Sequence, residues 1–279
     1  MKPVVSIIAP GAMGAAVAQR LVEHGIEVRT TLAGRGPASA TRAHAAGMRP
    51  VDDAAVADAD ILLSVVPPGE AMALAERLAP VLARGNRRMI YADCNAVSPQ
   101  TAVRVGGAVS AAGVRFVDAG IIGGPPKPGT RGPVFYASGP DAAGLAVLAD
   151  HGIAVKVLDA PIGAASGLKM SYAGITKGTT ALASAMMLAA TRFGAAANLR
   201  QELADSQPNL LAMFGRSVPD MYSKAYRWVA EMEEIADFAG EDTATRQIYE
   251  GIAQLYRRLA EDQDGEKAEI GQLTAFLQN

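Results

Sequence analysis

Apolar positions in the first half of the chain fall into short unbroken runs, separated by stretches in which apolar residues recur every three or four positions. The run V-V-S-I-I-A at 4–9 is rich in β-branched residues and predicts a buried strand; the amphipathic stretch 12–24 predicts a helix closed by Gly25. Strands are predicted again over 27–32, 60–66, 88–93, 114–118, 133–138 and 153–158. Helices are predicted over 39–46, 70–83 and 141–149, with one more opened by Ser98 as N-cap and Pro99 at its first position. Strands alternating with helices imply a doubly wound, mostly parallel sheet. After Pro161 the strand signals stop, and the remainder reads as helix with breaks near Gly194, Pro208, Pro219, Gly240 and Gly265. The expected organisation is an α/β domain over 1–160 followed by an all-α domain over 161–279.

The first βα connection carries candidate chemistry. In A-P-G-A-M-G, Gly11 and Gly14 occupy the second and third glycine positions of G-x-G-x-x-G, with Ala9 in place of the first. Such a turn lets backbone approach a pyrophosphate at a helix N-terminus, so the first domain reads as a Rossmann-type dinucleotide-binding unit. The end of the second strand, T-T-L-A-G-R, has no carboxylate for ribose hydroxyls, and Glu27 lies at the wrong end. Arg35, with Arg42 and Ser39 nearby, suits a 2′-phosphate instead, which favours NADP over NAD; the bland alternative is two solvated arginines.

A second feature is the stretch 163–192, rich in small residues and carrying only Lys169, Lys177 and Arg192 as charges. It predicts one long, closely packed helix, on which a buried lysine must pair, snorkel or work. Tyr172, Ala173, Thr176, Lys177 and Thr180 share the face of Lys169. The segment 118–134, D-A-G-I-I-G-G-P-P-K-P-G-T-R-G-P-V, reads as a glycine- and proline-dense loop after a strand's carboxyl end, where open sheets bind ligands.

Composition narrows the classes. With 279 residues, 50% hydrophobic and 19% charged, the chain can bury a sizeable core. A net charge of −2 gives no reason to expect nucleic acid or an anionic membrane as partner. No run reaches the roughly 18 apolar residues of a membrane span. A single cysteine, Cys94, and a start that leads straight into a strand favour a cytoplasmic location. His24, His44 and His151 are scattered, so no metal site is expected. G-A-A-S-G lacks the spacing of a nucleophile elbow, which leaves Ser166 as a helix-start residue.

Four motifs in order, A-P-G-A-M-G, D-C-N-A-V-S-P at 93–99, D-A-G-I-I-G-G at 118–124 and G-A-A-S-G-L-K at 163–169, resemble the β-hydroxyacid dehydrogenases. That superfamily includes 6-phosphogluconate dehydrogenase and the imine reductases, and R-W-V-A-E-M-E-E-I-A at 227–236 resembles a little-characterised subgroup with its own C-terminal helical domain. The resemblance implies that Gly11, Ala12, Met13 and Gly14 cradle the pyrophosphate, Val66 and Pro67 border the cofactor, and Asn95 lies near the nicotinamide ribose. It implies that Gly123 and Gly124 face the substrate and that Lys169 is the acid/base in hydride transfer between nicotinamide C4 and an alcohol or carbonyl. A homodimer is expected on the same ground.

The departures are informative. Ile122 stands where the family has serine, and Tyr172 and Ala173 stand where it has two asparagines. Tyr172 is a candidate replacement donor, and Lys127 or Arg131 are candidate anion contacts. These changes point to a small-molecule substrate less polar or larger than a short β-hydroxyacid. Two other readings are reduction of a C=N bond, against which Lys169 speaks, and a non-catalytic NADP-binding sensor. In the helical half, Tyr222, Tyr226, Val229 and Met232 form one apolar stripe and Trp228, Met232 and Ile235 another, expected to pack against other helices. The glutamates of E-M-E-E are expected on a solvated face.

Overall fold

Val4–Ile8 forms β1, and its side chains enter apolar clusters on both faces: Val5 and Ile7 on one, Ile8 on the other. Burial on both faces is what a central parallel strand requires, and it explains the unbroken apolar run. The computed structural model describes residues 2–127, 129–130 and 132–278, so Arg131 lies outside the described residues. By contacts the chain divides into two compact units, Met1–Lys169 and Met170–Asn279.

The first unit follows the strand–helix alternation. After β1 come α1 (Ala12–Glu23), β2 (Glu27–Thr30), α2 (Pro37–Ala45), β3 (Arg49–Pro50), α3 (Asp53–Ala57), β4 (Ile61–Ser64) and α4 (Ala71–Leu82). Then come β5 (Ile90–Asp93), α5 (Pro99–Ala111), β6 (Arg115–Ile122), β7 (Val134–Ser138), a 3₁₀ helix (Ala142–His151), β8 (Ala154–Val157) and the start of α6 (Ala164–Arg192). The strands form one eight-stranded sheet in the order β3-β2-β1-β4-β5-β6-β7-β8, parallel except between β6 and β7. From β1 the chain first runs outward to β3 and then returns to β4 on the other side. The β1/β4 boundary is therefore the topological switch point, where open sheets bind ligands beyond the strands' carboxyl ends.

Several local outcomes differ from expectation. The strand expected over 114–118 continues to Ile122, because β7 pairs with it antiparallel from Asp118↔Ser138 to Ile122↔Val134. The glycine-rich loop therefore begins at Gly123 rather than Asp118. The helix expected over 141–149 is a 3₁₀ segment closed by Gly152 at φ 83°. β3 and α3, two and five residues long, are too short to show periodicity, although Asp52 caps α3 by accepting from Ala55 N at 2.8 Å. Ser98 caps α5 as expected, its Oγ accepting from Thr101 N at 3.3 Å.

The second unit is all helical: the remainder of α6, then α7 (Ala196–Ser206), α8 (Pro208–Tyr222), α9 (Ala225–Phe238), α10 (Thr243–Asp264) and α11 (Ala268–Gln278). Its buried residues include Phe214, Val218, Met232, Ile235, Tyr256, Leu259 and Leu273. Pro219 does not break the chain but sits inside α8. The carbonyl that its ring would meet, four residues earlier, belongs to Gly215, the residue type whose backbone yields most easily. Tyr226 leaves its predicted stripe: it is 65% exposed in the first turn of α9, with the Arg227 guanidinium 5.7 Å from its ring centre. Glu231 leaves the expected solvated face, because it pairs with Lys177, whose ammonium lies 5.0 Å from the Trp228 ring centre. Glu233 is exposed as expected and pairs with Arg257 at 2.8 Å.

Candidate active site

The turn after β1 is built by one close approach. A Cβ on Gly14 would stand 2.1 Å from the carbonyl oxygen of Ala9, so only glycine lets α1 begin so near the strand. Gly11, the N-cap residue, has no atom within 4 Å of a Cβ position and opens onto free space. α1 has no side-chain cap and no acidic residue in its first turn, so its N-terminal amides and dipole are left for an external anion. Ala12 is exposed and Met13 half-buried at this end. A pyrophosphate fits this turn on all three counts.

The flanking loops are tied to one another. Ala9 N donates to Val65 O at 3.1 Å, linking the exits of β1 and β4. Val66 is buried and donates its N–H to Asn95 Oδ1 at 2.7 Å, while Pro67 is exposed at the entry to the next turn. Asn95 also donates Nδ2 to Ser64 Oγ at 2.8 Å and to Asp93 Oδ1. With 3% exposure, its amide is committed to holding the ends of β4 and β5 together. Arg35 follows the exit of β2 and Arg42 stands on α2, where it is engaged: its Nε donates to Pro10 O at 2.8 Å and its Nη2 to Ser39 Oγ at 3.2 Å. Arg35 reaches across to Glu70, with Nη2 3.4 Å from Oε2.

A polar row that sequence reasoning missed crosses the sheet at this edge. The register pairs Ile8 with Ser64, Ser64 with Asp93, Asp93 with Asp118, and Asp118 with Ser138. All four polar members are buried. Asp118 Oδ2 accepts from Ser138 Oγ at 3.0 Å, Gly163 N at 2.9 Å and Ser166 N at 3.1 Å, and its Oδ1 accepts from Ser166 Oγ at 2.6 Å. This carboxylate caps α6 and fixes its first turn, which gives Ser166 its helix-start role. The available signal was an aspartate in each of two otherwise apolar strands, Y-A-D-C and F-V-D-A.

Lys169 is brought to the same edge. A Cβ on Gly120 would lie 2.7 Å from Ala165 O and 3.2 Å from Lys169 Cβ, so glycine at this point of β6 lets α6 settle close to the strand. Lys169 is half-buried there and close enough to Asp93 and Cys94 to act on both electrostatically. Burial pushes the Asp93 carboxyl up to about 7; the Asn95 backbone N–H opposes this, Asp118 adds to it, and the Asn95 side chain and Lys169 oppose it. Burial likewise pushes the Cys94 thiol well up, as expected of a packed side chain rather than a nucleophile.

The glycine-rich loop leaves the carboxyl end of β6. Ile122 ends β6 half-buried, Gly123 takes φ 119° against Pro133, and Gly124 is exposed with open space around it. Lys127 is exposed, and its carbonyl accepts from Arg20 Nη2 at 3.1 Å, at the far end of α1 from the glycine turn. Tyr172, three residues beyond Lys169 on α6, is 51% exposed. No helix is long and apolar enough to cross a membrane among the described residues.

Comparison with known proteins agrees with this architecture. The NAD binding domain of 6-phosphogluconate dehydrogenase matches residues 4–149, and a domain of unknown function, DUF1932, matches residues 190–259. Among curated proteins none matches. A solved conserved protein of unknown function, described as structurally similar to 3-hydroxyacid dehydrogenases, shares 28% identity at TM-score 0.74, covering 93% of this chain and 98% of its own. The 3-hydroxyisobutyrate dehydrogenase of Mycobacterium tuberculosis, solved with L-serine, shares 20% identity at TM-score 0.76 over 94% of this chain and 95% of its own. An imine reductase variant from Myxococcus stipitatus, solved with NAD+, shares 19% at TM-score 0.63 over 99% of this chain and 100% of its own. With a nucleotide-binding half of the 6-phosphogluconate dehydrogenase type and a DUF1932 helical half, the chain belongs to the 6-phosphogluconate dehydrogenase-like family of NAD(P)-binding proteins, whose structural relatives are the 3-hydroxyacid dehydrogenases.

Proposed function

We propose that the protein is an NADP-preferring oxidoreductase that interconverts an alcohol and a carbonyl, with Lys169 as general acid/base. The observation that carries this reading is the position of Lys169: Gly120 admits it to the carboxyl edge of the sheet that also holds the open glycine turn. Three strand spacings of ~4.8 Å separate β1 from β6, so turn and lysine stand roughly 14 Å apart along that edge. That span suits an extended dinucleotide with its pyrophosphate at one end and its reacting ring at the other. When bound, the nicotinamide supplies or accepts the hydride. The chain's own part is to hold the pyrophosphate on Gly11, Ala12, Met13 and Gly14, and to move one proton at Lys169 Nζ. Val66 and Pro67 border the cofactor, and Asn95 acts by fixing their loop.

NADP is preferred because the segment leaving β2 carries Arg35 and no carboxylate of its own; the Glu70 carboxylate that Arg35 reaches comes from the turn after β4. Ile122, Gly123 and Gly124, with Tyr172 in the family's asparagine position, favour a substrate less polar than a short β-hydroxyacid. The helical half serves the substrate side and dimerisation. On α6, Tyr172, Ile175, Leu182, Met186 and Phe193 are 51%, 68%, 59%, 60% and 87% exposed at spacings of three, four and seven residues and their sums. A second copy of the chain is the proposed cover for this stripe.

The test is turnover of NADPH by purified protein against a panel of aldehydes, ketones, keto acids and cyclic imines. Turnover of a carbonyl that falls at least about a hundredfold in Lys169→Ala supports the reading. Turnover unaffected by Lys169→Ala, or confined to imines, rejects it. Tight NADPH binding without turnover across the panel identifies a sensor instead.

A further inference from the structure

The buried carboxyl of Asp93 has no place yet in this scheme. Its Oδ1 is occupied by Asn95, whose N donates at 3.1 Å, but its Oδ2 is buried with no hydrogen-bond partner among the described residues. An unpartnered carboxyl oxygen at 1% exposure is costly, and such groups concentrate where charge is used.

The geometry around it leads to Lys169. Asp93 is the last residue of β5 and stands in register with Asp118 on β6. Gly120 lies two residues further along β6, on the same face as Asp118, and it is over Gly120 that the Lys169 Cβ sits. Asp118 and Ser166 pin the preceding turn of α6. The lysine stem therefore starts one strand spacing, ~4.8 Å, from the column that ends in Asp93, a gap that its flexible four-carbon chain can span.

We infer that Asp93 is a positioning residue for Lys169: with Asp118 beside it, it draws the ammonium toward the sheet edge and keeps it protonated, so that the lysine works as a proton donor to a carbonyl oxygen. The inference rests on the acid/base reading of Lys169 and deepens it, from proton transfer in either direction to reduction. Two carboxyl groups next to one amine favour the charged amine, whereas a base for alcohol oxidation needs the neutral form. The titratable or charged groups that face Asp93 are Asp118 from β6, Lys169 from α6, Tyr91 on its own strand and Cys94 directly after it; β4 offers Ser64, which does not titrate. Asp93 titrates near neutrality, so Lys169 gains a charged neighbour as the pH rises past about 7. The ionised carboxylate then attracts the ammonium toward the end of β5.

The test reads Lys169 itself rather than turnover. The holoprotein is labelled with limiting acetic anhydride between pH 6 and 11, and modification at Lys169 is followed by peptide mass spectrometry. In Asp93→Asn the midpoint of Lys169 reactivity is expected to fall by about one pH unit or more, which raises labelling at pH 8 close to tenfold. An unchanged midpoint in folded Asp93→Asn overturns the inference. Should that variant fail to fold, the reciprocal measurement remains. In Lys169→Met the Asp93 carboxyl, followed by carbon-13 NMR, is expected to titrate at higher pH than in the parent, and an unmoved carboxyl overturns the inference equally. Because neither readout uses turnover, a lysine coupled to Asp93 but dispensable for catalysis would be recognised as a failure of the functional reading alone.

Discussion

Ser166 donates its hydroxyl to Asp118 Oδ1 at 2.6 Å, and through this bond the end of the sheet dictates where α6 begins. The same carboxylate accepts the backbone N–H groups of Gly163 and Ser166, so its loss leaves two buried donors without a partner. Asp118→Ala is expected to cost about 3 kcal/mol or more, and Ser166→Ala about 1 kcal/mol. Urea denaturation of the two variants checks this ordering. Equal losses would mean that the carboxylate's backbone bonds contribute little.

The two glycines of the nucleotide turn separate fold from binding. In Gly14→Ala the new methyl meets the Ala9 carbonyl, and neither backbone can yield without moving α1 off β1. That variant is expected to lose several degrees of Tm or fail to fold. Gly11→Ala meets nothing within 4 Å and keeps a φ of −72°, which alanine adopts freely. Its Tm should match the parent, while its methyl intrudes on the anion's approach and weakens NADPH binding at least tenfold by titration calorimetry. Unchanged affinity in Gly11→Ala would place the pyrophosphate elsewhere.

Cofactor choice is tested at Arg35. Its pairing with Glu70 is partly exposed and should contribute little to stability. A charge-assisted contact to a 2′-phosphate is worth about 1.5–3 kcal/mol, so Arg35→Ala is expected to weaken NADPH roughly tenfold to a hundredfold and leave NADH unaffected. Equal effects on both cofactors would remove the argument for NADP. Arg42→Ala is expected to weaken both, because Arg42 holds the Pro10 carbonyl of the turn itself.

Much of this site was legible in the chain because its elements obey strong local rules. The β1–α1 turn needs glycine, the N-cap of α5 needs a serine, and Lys169 stands out on a helix of small residues. What was not legible depends on register. No local rule says that Asp93 and Asp118 face each other across two strands, since pairing is set by sheet order and by where each strand begins. The extension of β6 past Asp118 was hidden for the same reason: its partner β7 lies beyond a long loop. Pro219 misled because proline disfavours a helix interior on average, whereas a glycine four residues earlier relaxes the clash. Glu231 misled because its partner, Lys177, is 54 residues away.

The exposed stripe of α6 predicts self-association. Leu182 and Met186 line, with Ile248 and Leu255, a groove of ≈ 500 Å³ in the helical unit, rimmed by Arg192 and Arg258. Leu182→Glu with Met186→Glu places two carboxylates in what would be a dry interface, at a cost of several kcal/mol. Sedimentation equilibrium is expected to show a dimer for the parent and a monomer of unchanged helicity for the double variant. A monomeric parent at micromolar concentration would end the proposal.

The buried carboxyl of Asp93 leaves its mark on stability as well as on Lys169. Its pKa stands at about 7 in the folded protein, against about 3.9 for an unfolded aspartate. Between those values the folded state binds more protons than the unfolded one, so stability falls as the pH rises. The contribution is fully present below about pH 4 and is lost as the pH passes through about 7. At its steepest the dependence approaches ~1.4 kcal/mol per pH unit. Asp93→Asn removes this single titration while other groups cancel in the comparison. The difference in unfolding free energy between variant and parent should therefore climb in the variant's favour from pH 4 to pH 7 and level off above. Chemical denaturation at unit intervals of pH measures it directly. A flat difference would show that Asp93 is already ionised in the folded protein at pH 4, with its charge compensated by Lys169 and Asn95.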